Sequence, residues 1–303
     1  MTKVDSTLSK ANANAPQVIS DLGELRQAIG RLRAAGQTIG FVPTMGALHA
    51  GHLSLVEASR RETGATVVSI FVNPTQFSAG EDLDRYPRNL AADLALLAPL
   101  GVSLVFAPQP QDVYPPGHST VVEVSGVAEP WEGRVRPGHF AGVATVVLKL
   151  FHMVAPDIAF FGQKDYQQTL VVRRMVEDLN VPVQLRICPT TREPDGLAMS
   201  SRNAYLSAAD RQRGLVLSRS LKLACELFQA GETIADIIRQ RMLGLFAETA
   251  GVTLDYLAIV EPGLMGEVSQ AQENSVAIIA ARVGNVRLID NCILGKRDVW
   301  QTG

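Results

Sequence analysis

Cysteine is scarce in this 303-residue chain, which has three: Cys188, Cys225 and Cys292. They are far apart and odd in number. That excludes a disulfide framework and a CxxC metal knuckle, and leaves buried thiols in a reducing cytosol. Histidine is scarce too. Of the five present only His49 and His52 are close in sequence, so a dedicated zinc site has little to draw on. Basic charge is not in excess, with 28 Lys and Arg against 30 Asp and Glu. No positive field therefore recruits nucleic acid or an anionic membrane. No apolar run reaches the ~18 residues that a membrane span needs. The opening MTKVDSTLSKANANAPQ lacks the apolar stretch of a secretory signal and reads as a flexible polar tail over residues 1–17. What is present is 47% hydrophobic and 19% charged residues. This is the composition of a globular chain, long enough for two domains, that acts on a small molecule.

Short β-branched runs alternate with helical patterns as far as residue 190. The periodicity predicts strands at 38–42, 65–72, 102–107, 158–161 and 183–188, with helices at 52–61, 90–97, 142–153 and 167–179. Alternation of this kind implies a doubly wound α/β parallel sheet covered on both faces, with ligands at the carboxyl ends of its strands. From residue 191 the texture changes. Helical patterns at 209–230 and 234–246 precede strand-like runs at 254–260, 276–281 and 287–290, and Val283-Gly284-Asn285-Val286 reads as a hairpin turn. A smaller α+β unit is expected over 191–303, beside a main domain over 18–190.

Four segments carry chemistry, and three of them follow a predicted strand. After Val42-Pro43-Thr44, a turn of small residues brings His49 and His52 to a helix start, where backbone N–H groups lack partners and favour an anion. The two imidazoles can cap the helix, bind a metal or donate to phosphate, and this segment alone leaves all three open. Phe71-Val72-Asn73-Pro74-Thr75-Gln76-Phe77 offers Asn73 and Gln76, neutral hydrogen bonders suited to a small polar acid. Phe161-Gly162-Gln163-Lys164-Asp165-Tyr166-Gln167-Gln168 places Lys164 where it can neutralise a phosphate, Asp165 where it can cap a helix or hold a ribose hydroxyl, and Gln168 one turn further on. Asp195-Gly196-Leu197-Ala198-Met199-Ser200-Ser201-Arg202-Asn203 sets two hydroxyls beside a guanidinium fit for a leaving pyrophosphate. Loop arginines at Arg88 and Arg136 are candidates for closing over the site.

In this order and close to this spacing, PTMGALHAGH, FVNPTQF, YPR, RPGHFAGVATVVLKLF, FGQKDYQQ and REPDGLAMSSRN resemble the pantoate–β-alanine ligase (pantothenate synthetase) family of HxGH nucleotidyltransferases. The likeness covers about residues 18–299. It implies a Rossmann-like sheet and an ATP-dependent condensation of (R)-pantoate with β-alanine. The pantoate carboxylate attacks the α-phosphorus of ATP, pyrophosphate leaves with Mg²⁺, and the amine then displaces AMP from an enzyme-bound pantoyl adenylate. By the same likeness Pro43, Met45, Gly46, Ala47, Leu48, His49, Ala50, Gly51 and His52 line the ATP site. Gly162, Gln163, Lys164, Asp165, Thr191, Met199, Ser200, Ser201 and Arg202 complete it. His52, His49, Lys164 and Arg202 act on the phosphates, and His52 is the residue usually called the proton donor. Gln76 and Gln168 hold pantoate, with Asn73 and Arg136 nearby. The metal ligands are unassigned, with Asp93 and Asp165 as candidate carboxylates. A cytoplasmic homodimer is implied, without nucleic-acid or membrane partners. Three other readings stay open: a transferase that stops at a nucleotidylated product, a tRNA-dependent relative, and a non-catalytic nucleotide-binding module. Near-neutral charge speaks against tRNA, and the intact His, Lys and Arg donors speak against the module.

Overall fold

A computed structural model describes residues 16–78 and 80–296 of the protein. Most of the expected polar tail lies outside these residues, and its last position, Gln17, opens the first strand. Six strands form one parallel sheet: β1 (Gln17–Ile19), β2 (Ile39–Thr44), β3 (Ala65–Ile70), β4 (Leu104–Phe106), β5 (Ile158–Gly162) and β6 (Gln184–Cys188). Their spatial order is β1-β4-β3-β2-β5-β6, every pairing parallel. The chain winds outward from β2 through β3 to β4, then returns to lay β5 on the other side of β2. The switch point therefore lies between β2 and β5, and the crevice beyond their carboxyl ends is where such sheets take ligands.

Strand alternation explains the two layers of helices. Val42, Val68, Val105 and Phe160 face α2 (Ala50–Glu62) and α3 (Leu90–Leu97). Phe41, Val67, Phe106, Ala159 and Phe161 point the other way, into a second core with α1 (Leu22–Ala34). Two one-turn helices, α4 (Pro110–Val113) and α5 (Glu132–Val135), precede α6 (His139–Val154) and α7 (Tyr166–Asp178), which complete that second layer. Neither β1 nor α1 figures among the elements expected from periodicity. β1 has only three residues, and α1 carries two glycines and a narrow apolar stripe of Leu25, Ala28 and Ile29. Its start is nonetheless capped, with the Glu24 N–H donating to Asp21 Oδ1 at 2.8 Å.

Beyond residue 190 come α8 (Ala208–Gln229), α9 (Ala235–Ala247) and a three-stranded antiparallel sheet of β7 (Val252–Val260), β8 (Val276–Val283) and β9 (Val286–Ile293). The turn expected at 283–286 joins β8 to β9, with Gly284 at φ +56°. One sheet face packs on α8 and α9 through Leu257, Ile259, Ala277 and Ile279. The other contributes Ala258, Val260, Val276 and Ile278 to the core of the large sheet, so the two sheets share buried surface.

Helix α6 passes very close to the turn that follows β3. A Cβ on Gly142 would stand 2.4 Å from the Thr75 carbonyl oxygen and 2.7 Å from the Gln76 nitrogen, both backbone atoms. Gly142→Ala is thus expected to lower the unfolding free energy by about 1–3 kcal/mol, the usual cost of overpacking. Gly244→Ala in α9, where an added methyl meets nothing within 4 Å, is expected to be neutral or to stabilise by up to about 1 kcal/mol. Urea denaturation of the two variants compares them directly.

Candidate active site

At the end of β2 the chain makes a tight turn around one carboxylate. Gly46 and Ala47 both have positive φ, +79° and +50°. The Ala47 and Leu48 N–H groups donate to Asp93 Oδ2 and Oδ1 at 3.1 and 2.8 Å. A Cβ on Gly46 would come within 2.9 Å of the same carboxylate, so glycine is required there twice over. Asp93 is 3% exposed and committed to this turn, which removes it as a candidate metal ligand.

His49 and His52 follow as the cap and third residue of α2. The His49 N–H donates to His52 Nδ1 at 3.3 Å, and the Gly51 N–H donates to His49 Nδ1 at 3.2 Å. With both Nδ1 atoms accepting, a neutral ring carries its proton on Nε2 and keeps one N–H donor for a ligand. Both rings are neutral. Burial, reinforced by the Lys164 charge, lowers His49 to about 4. Burial, the neighbouring His49 and Lys164 lower His52 to about 3. The pair therefore supplies hydrogen-bond donors near pH 7 without adding charge.

The loop from residues 199 to 203 closes on this turn. Ser201 Oγ donates to the Ala47 carbonyl at 3.0 Å, and Ser200 Oγ caps the following turn by accepting the Arg202 N–H at 3.3 Å. A cavity of about 240 Å³ lies between them. It is lined by Pro43, Met45, His49, Gly51 and His52, by Gly162, Lys164 and Asp165, and by Thr191, Met199, Ser200, Ser201 and Arg202. Asn73, Gln76, Arg136 and Gln168 line it too, so both expected substrate sides meet in one space. A larger cavity of about 690 Å³ between the two sheets shares Lys164, Asp165, Gln168, Ser200 and Arg202 with it.

Five expected nucleotide residues are placed otherwise. Gly46, Ala47 and Leu48 build the turn, Leu48 packs into the core, and Ala50 faces outward. The Gln163 side chain turns toward the small sheet and donates to Asn291 Oδ1 at 3.2 Å. Asp165 makes no side-chain cap on α7, which leaves its carboxylate facing the cavity. Among the described residues no group of three His, Cys, Asp or Glu could hold a metal.

Both site arginines are held by consecutive acids. Arg136 donates to both Glu81 oxygens at 2.7 and 2.6 Å, and Arg202 to both Asp82 oxygens at 2.9 and 2.7 Å. Burial works against charge on both acids, but the arginine hydrogen bonds and charges hold each carboxyl below its usual range. Arg136 reaches a second network through Glu132 at 3.4 Å, whose carboxylate takes a forked pair from Arg287 of β9 at 2.6 and 2.8 Å. Asp255 fixes Arg287 from behind at 2.7 Å. Arg88, by contrast, is exposed and donates to the Leu83 carbonyl, outside the cavity.

A model of the family described as pantoate–β-alanine ligase matches residues 17–293. The chain belongs to that family. The pantothenate synthetase of Roseiflexus castenholzii is 50% identical over 278 residues, covering 92% of this chain and 99% of the relative. A crystal structure of the Thermus thermophilus pantothenate synthetase is 48% identical with a TM-score of 0.88, covering 92% of this chain and 99% of that one. The Francisella tularensis pantoate–β-alanine ligase, described as complexed with β-γ ATP and β-alanine, is 33% identical with a TM-score of 0.74, over 93% and 99% of the two chains. This chain is therefore an enzyme, a ligase of pantothenate biosynthesis, with the doubly wound fold expected from its sequence.

The ligase fold also reveals site residues that the motifs did not single out. His139, buried at the start of α6, stands 2.8 Å through Nδ1 from the Gln76 carbonyl, and its Nε2 lies 3.1 Å from Arg136 Nη1. Arg136 can only donate, so Nε2 accepts and Nδ1–H donates to Gln76. Its place three residues after Arg136, in the segment Arg136-Pro137-Gly138-His139, was the available signal. Glu81, Asp82 and Glu132 had none, because an acid in a loop or at the start of a one-turn helix reads as solvated until its arginine is located.

Burial, then Arg136, lowers His139 to about 4 as well. All three folded-state values lie below the ~6.5 of an unfolded histidine. The unfolded chain therefore binds the additional protons, and stability present above pH 6.5 is lost as pH falls toward 4. Thermal melts are expected to show a falling Tm from pH 6.5 to 4.5, and His139→Gln is expected to flatten that slope. An unchanged slope in the variant would contradict the assignment.

Proposed function

We propose that the protein condenses (R)-pantoate with β-alanine through a pantoyl adenylate, releasing AMP and pyrophosphate. The observation that carries this reading is one small cavity with neutral Nε2–H donors from His49 and His52 on one wall and the Gln76 amide on another. Two anions, a carboxylate and a triphosphate, have to meet there, and repulsion between them is the first obstacle. Lys164 and the imidazole donors withdraw charge from the phosphates, while Gln76 and Gln168 hold the acid in line with the α-phosphorus. A carboxylate oxygen forms a bond to that phosphorus as the bond to the β-phosphate oxygen breaks. The β-alanine nitrogen then adds to the acyl carbon, loses a proton, and expels AMP. His52 acts here as a neutral donor rather than as a charged acid, in keeping with its lowered pKa.

Mg²⁺ enters with ATP, and Asp165 is the carboxylate that fits it, since this ion is usually held by one or two carboxylates and the substrate phosphates. It would draw charge onto the departing pyrophosphate. The described complex of the Francisella tularensis relative, with its β-γ ATP and β-alanine, supports the choice of nucleotide and amine. The acyl adenylate is open to hydrolysis, and the segment from Glu81 and Asp82, on the larger cavity, to the buried Tyr86, on the smaller one, would shield it. A cytoplasmic homodimer belongs to the same reading, with sedimentation as its test.

AMP release is expected to depend strictly on both pantoate and β-alanine. An adenylated product that accumulates with no need for the amine would overturn the reading in favour of a plain nucleotidyltransferase. His49→Ala and His52→Ala are each expected to slow single-turnover formation of pantoyl adenylate by at least ~10²-fold, as loss of a preorganised donor does.

A further inference from the structure

Asn73 was expected beside pantoate, but its carboxamide is wholly engaged within the protein. It is 1% exposed. Its Oδ1 accepts from the Tyr114 hydroxyl at 2.8 Å, the Thr75 hydroxyl at 3.0 Å and the Thr75 N–H at 3.3 Å. Its Nδ2 donates to the Gly142 carbonyl and to Gln76 Oε1, both at 3.1 Å. A reversed amide would set an N–H against the Thr75 N–H and an oxygen against the Gly142 carbonyl, so this orientation is favoured, and the two hydroxyls add to it by donating to Oδ1.

The consequence passes to Gln76. With Oε1 accepting from Asn73, the other end of the amide, Nε2, faces the cavity. Its hydrogen-bond partner there is the weakly accepting Met45 sulfur, 3.2 Å away. The backbone of Gln76 is pinned too, its carbonyl accepting from His139 and Arg136 at 2.8 and 3.3 Å. At Gln76 the wall thus offers the N–H end of the amide rather than its oxygen, a polarity suited to an anionic or acceptor-rich ligand.

Tyr114 is the origin of this chain of contacts and lines neither cavity. It follows α4, and its ring packs near Phe71 and His118, with Lys149 Nζ 5.6 Å from the ring centre. Resting on the pantoate reading given above, we propose that Tyr114 is a positioning residue that sets the polarity of the acid pocket. Together with Thr75, its hydroxyl locks Asn73 and so makes Gln76 a donor toward the pantoate carboxylate. Removing the hydroxyl takes away one of the three hydrogen bonds on Asn73 Oδ1 and lets Gln76 present its oxygen for more of the time, which repels a carboxylate and welcomes an amide.

The test compares pantoate with its neutral primary amide, used as a competitive inhibitor, in steady-state assays of the full chain. Tyr114→Phe keeps the ring and removes only the hydroxyl. It is expected to raise the KM for pantoate about 5- to 10-fold, the loss of roughly one hydrogen bond. The KM for ATP stays within twofold. The decisive quantity is the amide Ki divided by the pantoate KM, expected to fall at least threefold in Tyr114→Phe and further in Tyr114→Phe/Thr75→Val. Loss of packing alone would weaken both ligands alike, so an unmoved ratio overturns the role of Tyr114. Should Tyr114→Phe fail to fold, as judged by its thermal melt, Thr75→Val alone is expected to move the ratio the same way, and no movement there overturns the proposal. A wild-type chain that does not respond to pantoate overturns the functional reading itself, a separate result.

Discussion

Two backbone N–H groups, those of Ala47 and Leu48, converge on the buried carboxylate of Asp93, and the geometry of the site follows from that contact. A chain leaving a parallel strand has to reverse before it can enter a helix, and here it does so through two residues at positive φ. Such a turn is unstable alone. The carboxylate from α3 takes its exposed donors and makes the conformation the low-energy one. Only then does His49 stand at the helix start with His52 one turn later, each accepting a backbone N–H on Nδ1. The same turn aims the Ala47 carbonyl toward Ser201, which closes the second loop on the first.

Electrostatically the site separates its donors from its charges. The two imidazoles are neutral because burial and Lys164 disfavour their protonation. The guanidiniums of Arg136 and Arg202 are each neutralised by a forked carboxylate. That leaves Lys164 as the cation near the switch point for which the described residues show no ion-pair partner. On the functional reading proposed above, an entering triphosphate would meet preorganised N–H groups and one ammonium, and would compete with Glu81 and Asp82 for the remaining positive charge. On that reading, ligand binding and rearrangement of the segment bearing those acids would be linked.

Much of this was legible in the sequence. The strands that carry the site were readable because parallel strands buried on both faces are nearly continuous apolar runs. The turn-and-helix motifs that follow them named His49, His52, Lys164, Gln76 and Gln168, all of which line one cavity. Short or locally ambiguous elements escaped. The three residues of β1 are too few for a period, and the glycines of α1 blur its stripe. Partnerships across the chain escaped as well. Nothing near Asn73 in sequence reveals that Tyr114 occupies its oxygen, and nothing near Arg136 reveals Glu81. Asp93 looked like a free carboxylate until its two N–H partners were located. Residue type and spacing give the capacity of a side chain, whereas the fold decides whether that capacity faces outward to a ligand or inward.

Strand β9 shows what this means at a distance. Asp290 takes both guanidinium nitrogens of Arg192 at 2.7 and 3.0 Å, at the root of the loop that ends in Ser200, Ser201 and Arg202. Its neighbour Asn291 donates to the carbonyls of Gln163 and Lys164 at 2.9 and 2.8 Å. Two adjacent residues of the small sheet thus grip two loops of the large one. A tilt of the small sheet would therefore pull on the loops of Lys164 and Arg202 together, which couples the positions of the two cations over the crevice.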